Sequence, residues 1–257
     1  MLFLDSTKVW AYRMKIVLLA ENVVGLNITQ YLANSYPEDL SLVVTTEKND
    51  IYSLIEEKGI PVCVFDSADA VMSKLYDGID LGVLAWWPKI LKSPLLEMPQ
   101  YGFINTHPSL LPYNRGKHYN FWALVEQAPF GVTLHRVDHG VDTGDIIAQQ
   151  EIPYDWTDNG ETLYQKAQDA MVKLFCQTYP VLRSRCIDSK PQNKKIGSFH
   201  HSSEIDPASI INLDRMYSAR DLINLLRART FDGYPGCSFE DAGNHYEISI
   251  KIRKVSK

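Results

Sequence analysis

Short apolar runs alternate with amphipathic stretches through the first two-thirds of the chain. KIVLLA (15–20), LSLVVT (40–45), PVCVF (61–65), LGVLA (81–85) and GFIN (102–105) are nearly unbroken apolar segments of strand length, the pattern of strands covered on both faces. Between them, residues 27–34, 51–58 and 68–75 carry apolar side chains at helical spacing. Strand, helix and strand in succession predict parallel strands joined by crossover helices, so the expected fold is α/β, a doubly wound, mostly parallel Rossmann-like sheet.

A helix is expected over 120–127, then two strands, GVTLHRV (131–137) and DIIAQQEI (145–152), on either side of the turn DHGVDTG. Leu163, Ala167, Ala170, Met171, Leu174, Phe175 and Thr178 recur every three or four residues and predict one long helix that ends near Leu182. Residues 188–204, DSKPQNKKIGSFHHSSE, hold few large apolar side chains and read as a linker. Beyond it, Ser218 and Asp221 start a helix that runs to about Thr230, and HYEISIKIRK alternates as a strand. The division is thus 1–187 for a catalytic domain, 188–204 for a linker and 205–257 for a small C-terminal α+β appendage.

Composition narrows the function. At 257 residues, 45% hydrophobic and 22% charged, the chain is ordinary globular protein. A net charge of -5 argues against a broad grip on nucleic acid. Apolar runs far shorter than the ~20 residues of a membrane span, and no secretory leader pattern, point to a cytoplasmic protein with no membrane partner. Residues 1–13 read equally as an extra edge segment or a start-codon artefact. Cys63, Cys176, Cys186 and Cys237 are far apart with no CxxC, so no metal is expected. The first strand-to-helix turn, LLAENVVGLNI, has one glycine where a dinucleotide needs G-x-G-x-x-G, and there is no Walker A sequence.

In GFINTHPSLLP, Asn105 and His107 sit two apart at the carboxyl end of a predicted strand, where alternation sends both side chains to one face and where open α/β sheets bind ligands. Taken alone, that pair is a turn asparagine and a loop histidine. Asp142, between Gly140 and Gly144, is likewise an ordinary turn residue by itself. Together, amide, imidazole and carboxylate can serve one tetrahedral intermediate: Asn105 donating to an oxyanion, His107 handling a proton or the same charge, Asp142 fixing the imidazole. No nucleophilic Ser or Cys is needed if an amine attacks directly.

FINTHPSLLPYNRGKH (103–118), GVTLHRVDHGVDTGDIIAQ (131–149) and the helix after GETL (160–163) resemble the N10-formyltetrahydrofolate-dependent formyltransferases, over roughly residues 15–182. The resemblance implies that Asn105, His107 and Asp142 are the catalytic trio. It implies N10-formyltetrahydrofolate as one-carbon donor, held largely by backbone groups at Pro88, Lys89, Ile90, Leu91, Asp138 and Val141. AWWP (85–88) departs from the small-residue pattern often found there.

Three acceptor amines compete: methionyl-tRNA, glycinamide ribonucleotide and a nucleotide-linked amino sugar. INLDRMYSARDLINLLRARTFDGYPGCSF followed by HYEISIKI looks like the tail of the nucleotide-sugar branch, as does RGKHYNFWAL (115–124). That likeness implies a dTDP-linked amino-dideoxy sugar such as dTDP-4-amino-4,6-dideoxyglucose, destined for a bacterial surface polysaccharide. Arg115, Lys117 and His118 are candidates to meet phosphates or hydroxyls, and Tyr234, with Phe231, to stack on a base. Arg220, Arg227 and Arg229 read as solvent-facing or dipole-complementing charges on the last helix rather than ligand contacts. A homodimer through the appendage is expected. The rivals are a formyltetrahydrofolate hydrolase using the same trio and a non-catalytic nucleotide-sugar binder.

Overall fold

A computed structural model describes residues 13–185, 187–193 and 195–255. Most of the N-terminal stretch with the open reading therefore lies outside the described residues. The chain forms two units: Phe103 and the residues before it, with Cys176–Asp188, and Ile104–Phe175 with the residues from Ser189 onward.

The first unit is built by the predicted alternation. It runs β1 (Ile16–Ala20), α1 (Asn22–Ser35), β2 (Leu40–Thr45), α2 (Asp50–Glu57), β3 (Val62–Val64), α3 (Ala68–Met72) and β4 (Leu81–Ala85). Its four strands are all parallel, in the order β3, β2, β1, β4. All five residues of β1 and of β4 are buried, which is why these runs show no alternation. The lone glycine after β1 has a packing role. A Cβ at Gly25 would stand 3.1 Å from the Ala20 carbonyl carbon and 3.2 Å from the Ala85 oxygen, so glycine lets the first turn of α1 close on the strand ends.

The carboxylate of Asp39, fully buried, accepts from the Met14 N–H (3.0 Å), the Tyr179 hydroxyl (2.8 Å) and Arg183 Nε (2.6 Å). A buried charge survives only when its lone pairs are met in this way. The contact secures the last turns of the long helix within the same unit.

The second unit contains β5 (Phe103–His107, from Ile104), β6 (Arg115–Gly116), α4 (Tyr119–Val125), β7 (Gly131–Arg136), β8 (Ile146–Glu151) and the first turns of α5 (Gly160–Arg183). β9 (Phe199–His200), α6 (Ile205–Ala208), α7 (Ala219–Arg229), β10 (Cys237–Asp241) and β11 (Asn244–Ile248) complete it. β5, β7 and β8 pair antiparallel, β6 pairs parallel with β9, and β10 and β11 form a separate antiparallel hairpin. The protein thus has a mostly parallel sheet with flanking helices and a small antiparallel appendage.

Several details differ from the sequence reading. α1 begins five residues before the expected 27, because its first turn has little apolar periodicity. The stretch 188–204 is not a bare linker: Phe199–His200 is a strand, and Lys190 bridges to Ile146. Most of its residues are exposed, yet Gln192 and His200 are buried and paired. β10 was not foreseen, and β11 stops at Ile248 although the alternation continues to Ile252. Arg227, expected at the surface, is 5% exposed. Its Nη1 donates to the Asp155 and Asp158 carbonyls (2.6 and 2.9 Å) and its guanidinium lies 4.8 Å from the Trp156 ring. Among the described residues, no helix is long and apolar enough to cross a membrane.

Candidate active site

The pairing of β5 with β7 sets Asn105 opposite His135 and His107 opposite Thr133. Because Asn105 and His107 are two apart on one strand, both side chains face the turn that follows β7. Asp142 stands in that turn with φ +53°, a left-handed backbone that Asp and Asn tolerate better than most residues.

Three devices shape the turn. Asp138 Oδ1 accepts from the Gly140 N–H (3.1 Å) and the Thr143 hydroxyl (2.6 Å). Gly144 lies so close to the Arg136 carbonyl that any Cβ would collide with it. Gln192 Nε2 donates to the Asp142 and Gly144 carbonyls (2.9 and 2.7 Å). The result aims the Asp142 carboxylate at β5.

The trio meets as the sequence predicts. His107 Nδ1 lies 3.4 Å from Asp142 Oδ2, and Asn105 Nδ2 lies 3.4 Å from Asp142 Oδ1. Asp142 Oδ2 also accepts the Gly116 N–H at 3.0 Å. A second imidazole completes the cluster: His135 Nε2 is 3.3 Å from Asn105 Nδ2 and 3.5 Å from Asp142 Oδ1. His135 Nδ1 sits 2.8 Å from the Arg136 carbonyl.

His107 is buried, and burial holds its imidazole below the ordinary histidine value in spite of the neighbouring Asp142 carboxylate. The ring is therefore neutral near pH 7. Its nitrogens nonetheless face two acceptors, Asp142 Oδ2 and, at 3.5 Å, the Asn114 carbonyl. Protonation would gain a hydrogen bond while incurring desolvation. Burial pushes the Asp142 carboxyl up, but His107, His135 and the Gly116 N–H together pull it well below the usual carboxylate range. An ionised acid, a neutral base and an amide donor thus surround one point.

The other candidate residues are placed as follows. In the first unit, Pro88 and Lys89 are exposed, Lys89 Nζ lies 4.8 Å over the Phe65 ring, Ile90 is 76% exposed and Leu91 is buried. Beside them Trp87 is buried, with an indole N–H that has no hydrogen-bond partner. In the second unit, Asp138 and Val141 are exposed. Arg115 belongs to β6, Lys117 is exposed, and His118 has φ +57°, with burial depressing its imidazole's value. Tyr234, 67% exposed, meets Phe231 edge-on.

His135, Asn114, Gly116 and Gln192 escaped the sequence reading. Only His135 carried a signal, as a polar residue inside the apolar run GVTLHRV. The other three contribute backbone groups or come from a stretch without periodicity. Among the described residues, no group of three or more His, Cys, Asp or Glu is arranged to hold a metal ion.

A family model described as Formyl transferase matches residues 14–179, and a second, described as the N-formyltransferase dimerization C-terminal domain, matches residues 204–254. A methionyl-tRNA formyltransferase of Thermodesulfovibrio yellowstonii is 35% identical over 173 residues, 66% of this chain and 55% of that protein. The chain spans about half the length of the curated relatives it matches. A 4-N formyltransferase from Francisella tularensis superposes with a TM-score of 0.82 at 24% identity, covering 95% of this chain and 99% of the other. An N-formyltransferase from Helicobacter canadensis, solved with folinic acid and dTDP-3-aminofucose, gives 0.72 at 19% identity over 90% and 85% of the two chains.

Proposed function

The chain belongs to the formyl transferase family, and from that premise we propose that it transfers a formyl group from N10-formyltetrahydrofolate to the primary amine of a dTDP-linked amino-dideoxy sugar. The acceptor assigned is dTDP-4-amino-4,6-dideoxyglucose, formylated in the cytoplasm as a precursor of bacterial surface polysaccharide such as O-antigen. The observation that carries the reading is the convergence of Asn105, His107 and Asp142 within 3.4 Å contacts.

The donor supplies a carbonyl carbon and departs as tetrahydrofolate. Within the first unit, Ile90 offers exposed apolar surface to a flat heterocycle. At the reacting carbon, Asn105 Nδ2 turns the N–H that rests 3.4 Å from Asp142 Oδ1 to the formyl oxygen as negative charge grows there, a contribution on the order of 3 kcal/mol. His107 accepts a proton as the reaction proceeds, gains its bond to the Asn114 carbonyl, and puts positive charge beside that oxygen. Asp142 is ionised at rest, so its charge steadies the attacking amine as it turns positive. The proton the amine sheds passes by way of Asp142 and His107 to N10 as the C–N10 bond breaks, which releases tetrahydrofolate and leaves both side chains as they began.

Support for a sugar acceptor comes from the match over residues 204–254 and from the structural neighbour solved with dTDP-3-aminofucose. The 35% identity to a methionyl-tRNA formyltransferase favours methionyl-tRNA as the second reading. A homodimer through residues 204–254 is proposed with it, supported by exposed Ile210, Leu213 and Met216. One panel tests the function: nucleotide-linked 4-amino and 3-amino sugars on dTDP and GDP, methionyl-tRNA, and donor alone, read by mass gain of one formyl unit or by formate release. Formylation of the dTDP-4-amino sugar in preference to the rest is expected. Release of formate with every acceptor unmodified would replace the transferase by a hydrolase.

A further inference from the structure

A second polar cluster stands behind the first, and the reaction as described makes no use of it. Glu126, at the end of α4, turns its two carboxylate oxygens to different partners. Oε1 lies 2.8 Å from His200 Nε2. Oε2 accepts from Asn114 Nδ2 (2.8 Å) and from the Ser198 hydroxyl (2.7 Å). His200 in turn places Nδ1 2.9 Å from Glu204 Oε2 and stacks on the Trp122 ring, 3.8 Å between centroids and 7° from parallel.

Both arms of this cluster end on one short strap, residues 114–117. Ser198 O accepts the Arg115 N–H and His200 O accepts the Lys117 N–H, each at 3.0 Å, while Ser198 Oγ accepts the Asn114 N–H at 3.3 Å. The opposite edge of the strap faces the catalytic pair: the Asn114 carbonyl lies 3.5 Å from His107 Nε2, and the Gly116 N–H reaches Asp142 Oδ2 at 3.0 Å. Asn114 is 1% exposed with φ +50°, so its conformation needs outside support.

We infer that Glu126 is a positioning residue for the transfer reaction: tied to His200 on one side and to Asn114 and Ser198 on the other, it fixes the strap that presents a carbonyl to His107 and an N–H to Asp142. The inference rests on the proposed transfer only for its kinetic consequence, because the geometry it invokes exists without substrate. The carbonyl favours the protonated form of His107, so a strap that drifts makes that proton harder to gain. The titratable or charged groups facing His107 are Asp142 of the turn, His135 of β7, Tyr119 of α4 and Lys117 after β6. Those facing His200 are Glu126 and Glu204. None of these is altered when Glu126 alone is replaced, apart from Glu126 itself.

The deciding measurement is the titration of His107 in the full chain by NMR of isotope-labelled histidine, with His107→Gln to assign its signal among seven histidines. In Glu126→Ala the midpoint of His107 should fall by about half a pH unit or more. In Glu126→Gln, where the side-chain carbonyl still accepts from Asn114 and Ser198, it should stay at the parental value. An equal fall in both variants would reveal a charge effect and overturn the inference, as would a parental midpoint in folded Glu126→Ala. Should Glu126→Ala fail to fold, Ser198→Ala decides in the same way, because it removes the hydroxyl shared by Asn114 and Glu126. Where the parent formylates an acceptor, kcat of Glu126→Ala should drop about fivefold or more with little change in KM. A parent inactive on every acceptor would refute the transfer reading and leave the titration result standing.

Discussion

Asp142 Oδ2 lies 3.4 Å from His107 Nδ1 and accepts the Gly116 N–H at 3.0 Å, so one oxygen orients the imidazole while a peptide group holds that oxygen still. The carboxylate is fixed by backbone before any substrate arrives, which is how an enzyme avoids reorganisation in the transition state.

Replacing Asp142 by Asn should therefore separate charge from shape. Asn tolerates the left-handed backbone at φ +53° and keeps one oxygen for Gly116. The variant should fold, with a lowered urea midpoint because the ionised carboxylate's contribution is gone, and lose on the order of 10²–10³ in turnover. Turnover within threefold of the parent, roughly 0.7 kcal/mol, would remove Asp142 from the mechanism.

Stability should fall as pH is lowered, in two steps of the same sign. The His107 value lies below its ordinary 6.5, so the unfolded chain binds the extra proton and stability is lost as pH drops below that value. The Asp142 value lies below its ordinary 3.8, so its contribution is complete above about pH 4 and lost on further acidification. Urea midpoints across this range should show both steps, and His107→Gln should shrink the upper one to the share left by His118, whose value burial also lowers. Stability rising on acidification between neutrality and about pH 5 would contradict the burial of a neutral His107.

Arg227→Ala should destabilise by about 3 kcal/mol, because two carbonyls of the 155–158 loop and the face of Trp156 lose a charged partner. Arg227→Lys should recover less than half, since an ammonium cannot span the same planar set. Denaturant unfolding of both variants checks this, and a loss below about 1 kcal/mol for Ala would show that the loop holds without the contact.

Gly144→Ala should shift the catalytic turn, because the added methyl has the Arg136 carbonyl in its way. A loss of about 2 kcal/mol or more is expected, together with a fall in turnover as Asp142 swings from His107. Full activity with an unchanged melting point would show that the turn relaxes at no cost to its geometry.

Much of this was legible in the chain itself. The unbroken apolar runs marked β1, β2 and β4 because those strands are buried on both faces, and the i, i+2 spacing placed Asn105 and His107 on one side. Asp142 was legible from the glycines around it. The register that sets His135 opposite Asn105 was not, since a pairing between strands some thirty residues apart leaves no periodic trace in either. The Asn114 carbonyl and the Gly116 N–H were invisible for a plainer reason: a peptide group has no residue type to betray it. Arg227 misled because a cation near a helix end matches a surface pattern, whereas here carbonyls of a neighbouring loop solvate it.

Gln192 reaches from beyond the long helix to the carbonyls of Asp142 and Gly144. Protein engineers who wish to graft this C-terminal appendage onto a different transferase face a junction problem as a result. A cut ahead of position 192 carries the amide off with the appendage and orphans the Asp142 and Gly144 oxygens it leaves behind, so a seam that spares the parent turn belongs downstream of it.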